Sequence, residues 1–348
     1  MGNRSYRCIV VGAGSAVGSR LCRLLARRDH QVLGVEHPEA LTPLEQRRLA
    51  LATEAGTRVE ARDFSEAGSL EAELPGADFV FLAARPRPGD WGWKGLWRSV
   101  LLPTRHLFDS LEHLGVRPRR VVVFSSTTVA GSRPGAVVTE DDAPSPRTLL
   151  ARALMLQEHL VRRRGQALEA PYTILRPGHL VGPDPGLPLA LLVHRAWPPL
   201  VPLPTGNPVQ VPLAHLDDLC EAALHLAKYP GLANRTFFLT DGERHDAASL
   251  LRQAAGVRKG ATVDLPILSP RMIGDLFRVV GWMDQRLREA LRREAMPLVD
   301  PDLPEALSAD LTVSTSALQE AGFQTTRGSA AYLLESLKGF EETFGAWG

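Results

Sequence analysis

Several things are scarce in this 348-residue chain, and each scarcity removes a class of explanation. Cysteine occurs three times, at Cys8, Cys22 and Cys220, with no Cys-x-x-Cys pair. An odd, widely spaced set makes neither a disulfide framework nor a metal site, and it fits a reducing cytoplasm. Charge of one sign is missing too, since 40 Lys and Arg face 39 Asp and Glu. That balance offers no electrostatic footprint for nucleic acid or an acidic membrane. The most apolar later stretch, Leu187 to Val193, is too short to cross a bilayer and is hemmed by prolines. Met1 to Arg7 is polar and does not read as a signal peptide. Lysine is limited to Lys94, Lys228, Lys259 and Lys338, and tyrosine to Tyr6, Tyr172, Tyr229 and Tyr332. These two short lists bear on the chemistry below.

What is present reads as a soluble α/β protein, with 44% hydrophobic and 23% charged residues. The first half alternates short apolar runs with amphipathic stretches, the pattern of a parallel βαβ sheet. Strands are expected at 8–11, 31–35, 57–61, 79–83 and 121–124, with a sixth at 172–175. Helices are expected at 17–28, 43–54, 96–114 and about 149–164, and Gly115 supplies a stop. After Arg176 the composition changes. Nine of the 27 prolines fall between Pro183 and Pro212, interleaved with Leu, Val and Trp197. This segment reads as an apolar cap or pocket wall. The spacing Ile273, Leu276, Phe277, Val280, Met283, Leu287, Leu291 predicts a core-facing helix of a smaller subdomain. The expected architecture is a Rossmann-type doubly wound sheet over 1–176, followed over 177–348 by a smaller substrate-binding subdomain with returning core elements.

The first strand opens into Gly12-Ala13-Gly14-Ser15-Ala16-Val17-Gly18 and then a helix. Glycines there let the backbone turn and approach a pyrophosphate, whose charge meets free amides at the helix N-terminus. Glu36 ends the second strand 18 residues after Gly18. A carboxylate at that place accepts hydrogen bonds from an adenosine ribose and repels a 2′-phosphate, which favours NAD over NADP.

With these residues placed, the chain resembles the extended short-chain dehydrogenase/reductase family, which includes nucleotide-sugar epimerases and dehydratases. Gly12 and Gly18 match that family's Gly-x-x-Gly-x-x-Gly, with Ser15 at the middle glycine. Arg62-Asp63-Phe64 is similar to its Gly-Asp-Leu, and Leu82-Ala83-Ala84 to its Leu-Ala-Ala beside the cofactor. Ser125-Ser126-Thr127-Thr128-Val129-Ala130-Gly131 resembles Ser-Ser-x-x-Val-Tyr-Gly, which implies that Ser126 hydrogen-bonds the substrate oxygen and that Ser125 lies beside the cofactor. Leu175 to Pro183 resembles Leu-Arg-Pro-x-Asn-Val-Tyr-Gly-Pro, with His179 where an Asn commonly meets substrate. Ala214 to Leu219 is similar to Val-His-Val-Asp-Asp-Leu. A homodimer through the helices at 96–114 and 149–164 is implied by the resemblance alone.

The family shuttles its proton with Tyr and Lys four residues apart, the ammonium depressing the phenol pKa. Counting back from Glu158 puts those positions at Leu150 and Leu154. No tyrosine lies between Tyr6 and Tyr172 and no lysine between Lys94 and Lys228, so no shift of alignment restores the pair. Thr148 and Arg152 share the i, i+4 spacing and form a weaker catalytic candidate, whose plainer reading is a helix cap and a surface arginine. His179 is a second acid/base candidate, and His215 is expected to make a structural hydrogen bond. Three functions follow. One is an oxidoreductase, epimerase or dehydratase-like enzyme acting on a small molecule with a non-standard proton donor. The others are a non-catalytic NAD-binding protein and a non-redox lyase or isomerase. The apolar cap and Trp91, Trp93 and Trp97 favour an apolar metabolite as substrate, although the same tryptophans also suit a dimer contact or the core.

Overall fold

The computed structural model of the protein describes residues 4–38, 41–86, 92–184, 200–203, 208–257, 261–264 and 308–328, with a few isolated positions beyond them. In chain order the elements begin β1 Arg7–Val11, α1 Ala16–Arg27, β2 Gln31–Glu36, α2 Pro43–Glu54, β3 Arg58–Ala61 and β4 Phe79–Leu82. There follow α3 Trp93–Leu96, α4 Leu102–Leu114, β5 Arg120–Phe124, β6 Val137–Val138, α5 Leu149–Ala167, β7 Tyr172–Pro177 and β8 His179–Val181. The later part holds β9 Leu200–Leu203, β10 Leu213–His215, α6 Leu216–Lys228, β11 Arg235–Leu239, α7 Ala247–Val257, β12 Ala261–Asp264, β13 Thr312–Val313 and α8 Ser316–Glu320.

Seven strands form one parallel sheet in the order β11-β7-β5-β4-β1-β2-β3. This is the doubly wound sheet expected from the sequence, and its strand order reverses between β1 and β4. Ligands of such sheets bind in the crevice outside the carboxyl ends at that switch point. The seventh strand, β11, comes from the proline-changed half of the chain and joins the edge beside β7.

Alternation along the strands sends side chains to two separate cores. Cys8, Val10, Phe79, Phe81, Val122 and Phe124 point to one face, where α1 and α6 cover them with Leu21, Leu25, Leu219 and Ala223. Ile9, Val11, Val80, Leu82, Val121 and Val123 point to the other, under Leu107, Phe108 and Leu111 of α4 and Val161 of α5. Both faces are closed, which is why these strands read as continuous apolar runs.

Helix boundaries follow local chemistry. Thr42 and Glu45 form a reciprocal capping box before α2, with Pro43 at its first position. Gly115 ends α4 in the left-handed region at φ 62°. The helix expected at 96–114 is interrupted: a π-turn spans Trp97–Leu101 ahead of α4. Pro103 has no N–H to donate and its ring crowds the carbonyl four residues back, and a wide turn at that point relieves both constraints. The expected helix at 273–291 lies largely outside the described residues, as does most of the cap at 183–212. No helix among the described residues is long and apolar enough to cross a membrane.

Among the described glycines, α1 makes one of the closest approaches, to the loop that follows β1. A Cβ at Gly18 would sit 2.0 Å from the Gly12 carbonyl oxygen. Backbone cannot yield as a side-chain tip does, so Gly18→Ala is expected to lower unfolding free energy by about 2 kcal/mol or more, measured by urea denaturation.

Candidate active site

The glycine loop is built at the switch point. Gly12 has φ +86°, and a Cβ there would come within 2.5 Å of the Ala84 backbone at the end of β4. The loop therefore lies directly against Ala83-Ala84, and only glycine permits it. Ser15 caps α1: its hydroxyl donates to the Gly12 carbonyl at 2.8 Å and accepts from Gly18 N–H at 2.9 Å. The first amides of a helix have no partner within it, so those of Ala16 and Val17 have none within α1. Buried Glu36 turns its carboxylate into the same loop, accepting from Gly14 N–H at 2.6 Å and His37 N–H at 2.8 Å.

Next to Glu36, the His37 ring reaches Asp63 at 2.9 Å and meets Phe64 edge-on at 5.6 Å. Burial would raise the Asp63 pKa, but hydrogen bonds from Ser65 and the His37 contact outweigh it and hold the carboxyl below its usual range. Glu36, His37, Asp63 and Phe64 thus form one wall beyond β2 and β3.

On the other side of the switch point, Ser126 follows β5 and is the one partly exposed residue in an otherwise buried run from Val121 to Ala130. Thr128 donates to its Oγ twice, from N–H at 3.2 Å and from Oγ1 at 3.0 Å. With its acceptor side occupied, the Ser126 proton is directed away from Thr128. Behind it, Ser125 Oγ donates to Glu158 Oε1 at 2.6 Å. Glu158 is fully buried and takes a two-pronged bond from Arg176, at 2.8 and 2.7 Å, and one from Arg162 at 2.8 Å. Burial alone would raise its pKa, but the Arg176 hydrogen bonds and charge prevail and keep it ionised.

The remaining sequence candidates are placed as follows. Leu150 and Leu154 are buried with Leu96, Val100, Val129 and Ala153, so this face of α5 is an apolar seam against the π-turn. Thr148 is the N-cap of α5, accepting from Ala151 N–H at 3.1 Å, and Arg152 is exposed. His179 lies on β8, partly exposed at its surface, yet burial lowers its pKa to about 4, so the imidazole is neutral near pH 7. His215 Nδ1 accepts from Asp217 N–H at the start of α6. Asp217 is bridged to Arg20 of α1, and Asp218 is bound by Thr326 and Arg327. The His-x-Asp-Asp run thus fastens three parts of the fold together.

Sequence reasoning passed over two arginines. Arg85, just past β4, donates to the Ser125 carbonyl at 2.8 Å; its position directly after Leu82-Ala83-Ala84 was the available signal. Arg48 of α2 donates to the Gly14 carbonyl at 3.2 Å and pairs with Asp184. Its partner lies 136 residues away, and no local pattern announces such a contact. Together with Arg20, Arg23 and Arg47, Arg48 lines a small cleft on the outer side of α1.

Comparison with known proteins bears on this geometry. A family model described as the NAD dependent epimerase/dehydratase family matches residues 8–237. No curated protein matches the chain. Among solved structures, MoeE5 in complex with UDP-glucuronic acid and NAD is 18% identical, with a TM-score of 0.71 over 97% of this chain and 100% of that one. UDP-glucuronic acid 4-epimerase from Bacillus cereus is 16% identical, with a TM-score of 0.73 over 97% and 100%. A double mutant of DesIV, the dTDP-glucose 4,6-dehydratase of Streptomyces venezuelae, is 20% identical, with a TM-score of 0.73 over 98% of each chain. At these identities the likeness is one of fold.

Two measurements test the site's construction. Glu158→Ala leaves Arg176 buried and unpaired and is expected to cost about 3–5 kcal/mol in chemical denaturation. The second concerns acid. His179 titrates at about 4 in the folded protein, below its unfolded value of 6.5. Its contribution to stability is therefore complete above pH 6.5 and is lost as pH falls toward 4, to the extent of about 3 kcal/mol. Acid unfolding of His179→Asn, followed by circular dichroism, is expected to have a lower midpoint pH than that of the wild type.

Proposed function

The chain belongs to the NAD dependent epimerase/dehydratase family, and from that premise we propose that it binds NAD across the switch point and acts as an oxidoreductase or epimerase/dehydratase-type enzyme on a small, apolar substrate. The residues fit the cofactor. Gly12, Gly14, Ser15, Ala16, Val17 and Gly18 would hold the pyrophosphate, in a loop that the bare Cα of Gly12 lets lie against the Ala83-Ala84 backbone. Glu36 would take the adenosine ribose, Asp63 and Phe64 the adenine, and Leu82, Ala83, Ala84 and Ser125 the nicotinamide half. When bound, NAD supplies a hydride acceptor.

Ser126 carries the reading. Two donors from Thr128 occupy its oxygen, and its free proton suits a hydrogen bond to a substrate carbonyl or alkoxide. His179 follows β7, which pairs directly with β5, so it leaves the same edge of the sheet as Ser126. As a neutral imidazole it would donate or accept a hydrogen bond to substrate. Thr148 and Arg152, capping and exposed respectively, are assigned positioning at the mouth of the site. The apolar substrate rests on the Pro- and Leu-rich composition of residues 183–212 and on Trp93 and Trp97, which are exposed large hydrophobics.

The seam of Leu150 and Leu154 favours a second reading, a cofactor-binding protein without catalysis. Where the family implies a phenol and an ammonium, two leucines complete a dry cluster, and no proton can pass through it.

The two readings separate in one experiment. Calorimetric titration is expected to show NADH binding at micromolar concentration and NADPH about tenfold or more weaker, with Glu36→Gln narrowing the difference, because a carboxylate repels the 2′-phosphate. Isotopic hydride exchange is then measured across alcohols, ketones and nucleotide sugars. Exchange with any of them establishes the enzyme; binding without exchange across the whole panel supports the second reading. Failure to bind either dinucleotide overturns both.

A further inference from the structure

Four guanidinium groups line the cleft on the outer side of α1, and two of them are matched by a carboxylate. Arg20 is bridged to Asp217 at 2.8 Å and Arg48 to Asp184 at 2.9 Å. Arg23 of α1 and Arg47 of α2 line the same cleft, and among the described residues neither has a hydrogen-bonded or ion-paired side-chain partner. We propose that this cleft binds the phosphate group of a small molecule, at a place separate from the one assigned to the dinucleotide.

Helix geometry builds the surplus of charge. Arg20 and Arg23 are three residues apart on α1 and Arg27 follows four later, so the three run along one side of the helix. Like charges at that spacing repel, and an anion held beside them relieves the repulsion. Arg23 is partly buried, and its pKa is held below the ordinary guanidinium value, by burial first and then by the charges of Arg20 and Arg27. Asp217 and Asp184 pull in the other direction without restoring it. From the neighbouring helix, α2, come Arg47 and Arg48, and Ser19 of α1 ties the two walls by donating to the Arg48 carbonyl at 2.9 Å.

These features select the chemistry of the ligand. Two unmatched positive charges suit a dianion, and a phosphate monoester carries a charge of about −1.5 to −2 near pH 7. A guanidinium presents paired N–H donors that fit two oxygens of one phosphate, which leaves a further oxygen for the other helix. Leu44, Leu51 and Leu216 also line the cleft, and an apolar wall strengthens the attraction of the charges beside it. The cleft has about 60 Å³ of space open to water, against roughly 10–15 Å³ for a single water molecule, so there is room for a phosphate group. The glycine loop is a different kind of surface. It would offer a pyrophosphate its amides, whereas the cleft meets that loop at the Gly14 carbonyl, which accepts from Arg48 at 3.2 Å. A carbonyl repels a phosphate oxygen, so the cleft does not continue the dinucleotide's place.

The test uses pyrophosphate and inorganic phosphate on the full chain, with ionic strength matched by sodium chloride. Binding is measured by calorimetry for the wild type, Arg47→Gln and the double variant Arg23→Gln/Arg47→Gln, with thermal melts to verify folding. The expected result is wild-type binding of pyrophosphate at about 1 mM or tighter, weakened about tenfold or more in the double variant and unchanged by saturating NADH. No binding of either anion by the wild type at about 10 mM overturns the proposal. A loss of less than about threefold in the folded double variant also overturns it, because the anion then sits elsewhere. Displacement of pyrophosphate by NADH overturns it as well and leaves the cofactor reading intact. If the chain binds no NADH, the variants decide alone, and the cleft stands or falls apart from the cofactor reading. If the double variant does not fold, exposed Arg47 decides: weakening of about threefold or more in Arg47→Gln supports the site, and a smaller change overturns it.

Discussion

The carboxylate of Glu158 is the interaction on which the rest of the site depends. It is fully buried, which is costly for an ion, and it is kept there by bonds from Arg176, Arg162 and the Ser125 hydroxyl. Those partners come from different elements: Glu158 and Arg162 from α5, Arg176 from β7 and Ser125 from the turn after β5. One charge thus fixes how α5 lies across the edge of the sheet and where the Ser125-Ser126 turn points. The orientation of Ser126 by Thr128 is a local refinement of a position that Glu158 has already set.

The seam formed by Leu150 and Leu154 takes its meaning from that anchor. Because Glu158 fixes the rotation of α5, the positions one and two turns earlier must face Val129 and the π-turn rather than solvent. A polar pair there would be satisfied only by a ligand; two leucines are satisfied by the protein itself. The helix is consequently stable without cofactor or substrate at that face.

Legibility differed with the range of the interaction. The six strands expected from the sequence are all present, and α2 was legible to its termini, because alternation, Pro43, Thr42 and Glu45 are local signals. The π-turn was not, since the periodicity of Leu96–Leu114 does not register one extra residue in a turn. β11 was missed as a strand of the main sheet because its partner, β7, lies some 60 residues earlier and a loop-rich segment intervenes. In the site, glycines and Glu36 stood out through spacing, and Ser126 through a motif. Arg85 had only its place after Leu82-Ala83-Ala84 to mark it, and the Arg48–Asp184 bridge, 136 residues apart, had no local signal, so folding alone brings Arg48 to the glycine loop.

The core beneath α1 carries a consequence for synthesis. Leu219, Ala222, Ala223 and Leu226 of α6, with Phe237 and Leu239 of β11, complete the face that Leu21 and Leu25 begin. On the ribosome, the strands from β1 to β5 emerge long before α6 and β11 exist, at a rate of about 5–20 residues per second. Through that interval the part of this face that α1 does not reach, and that α6 later covers, is wet and apolar. The nascent chain is a half-covered sheet until the next hundred residues close that face.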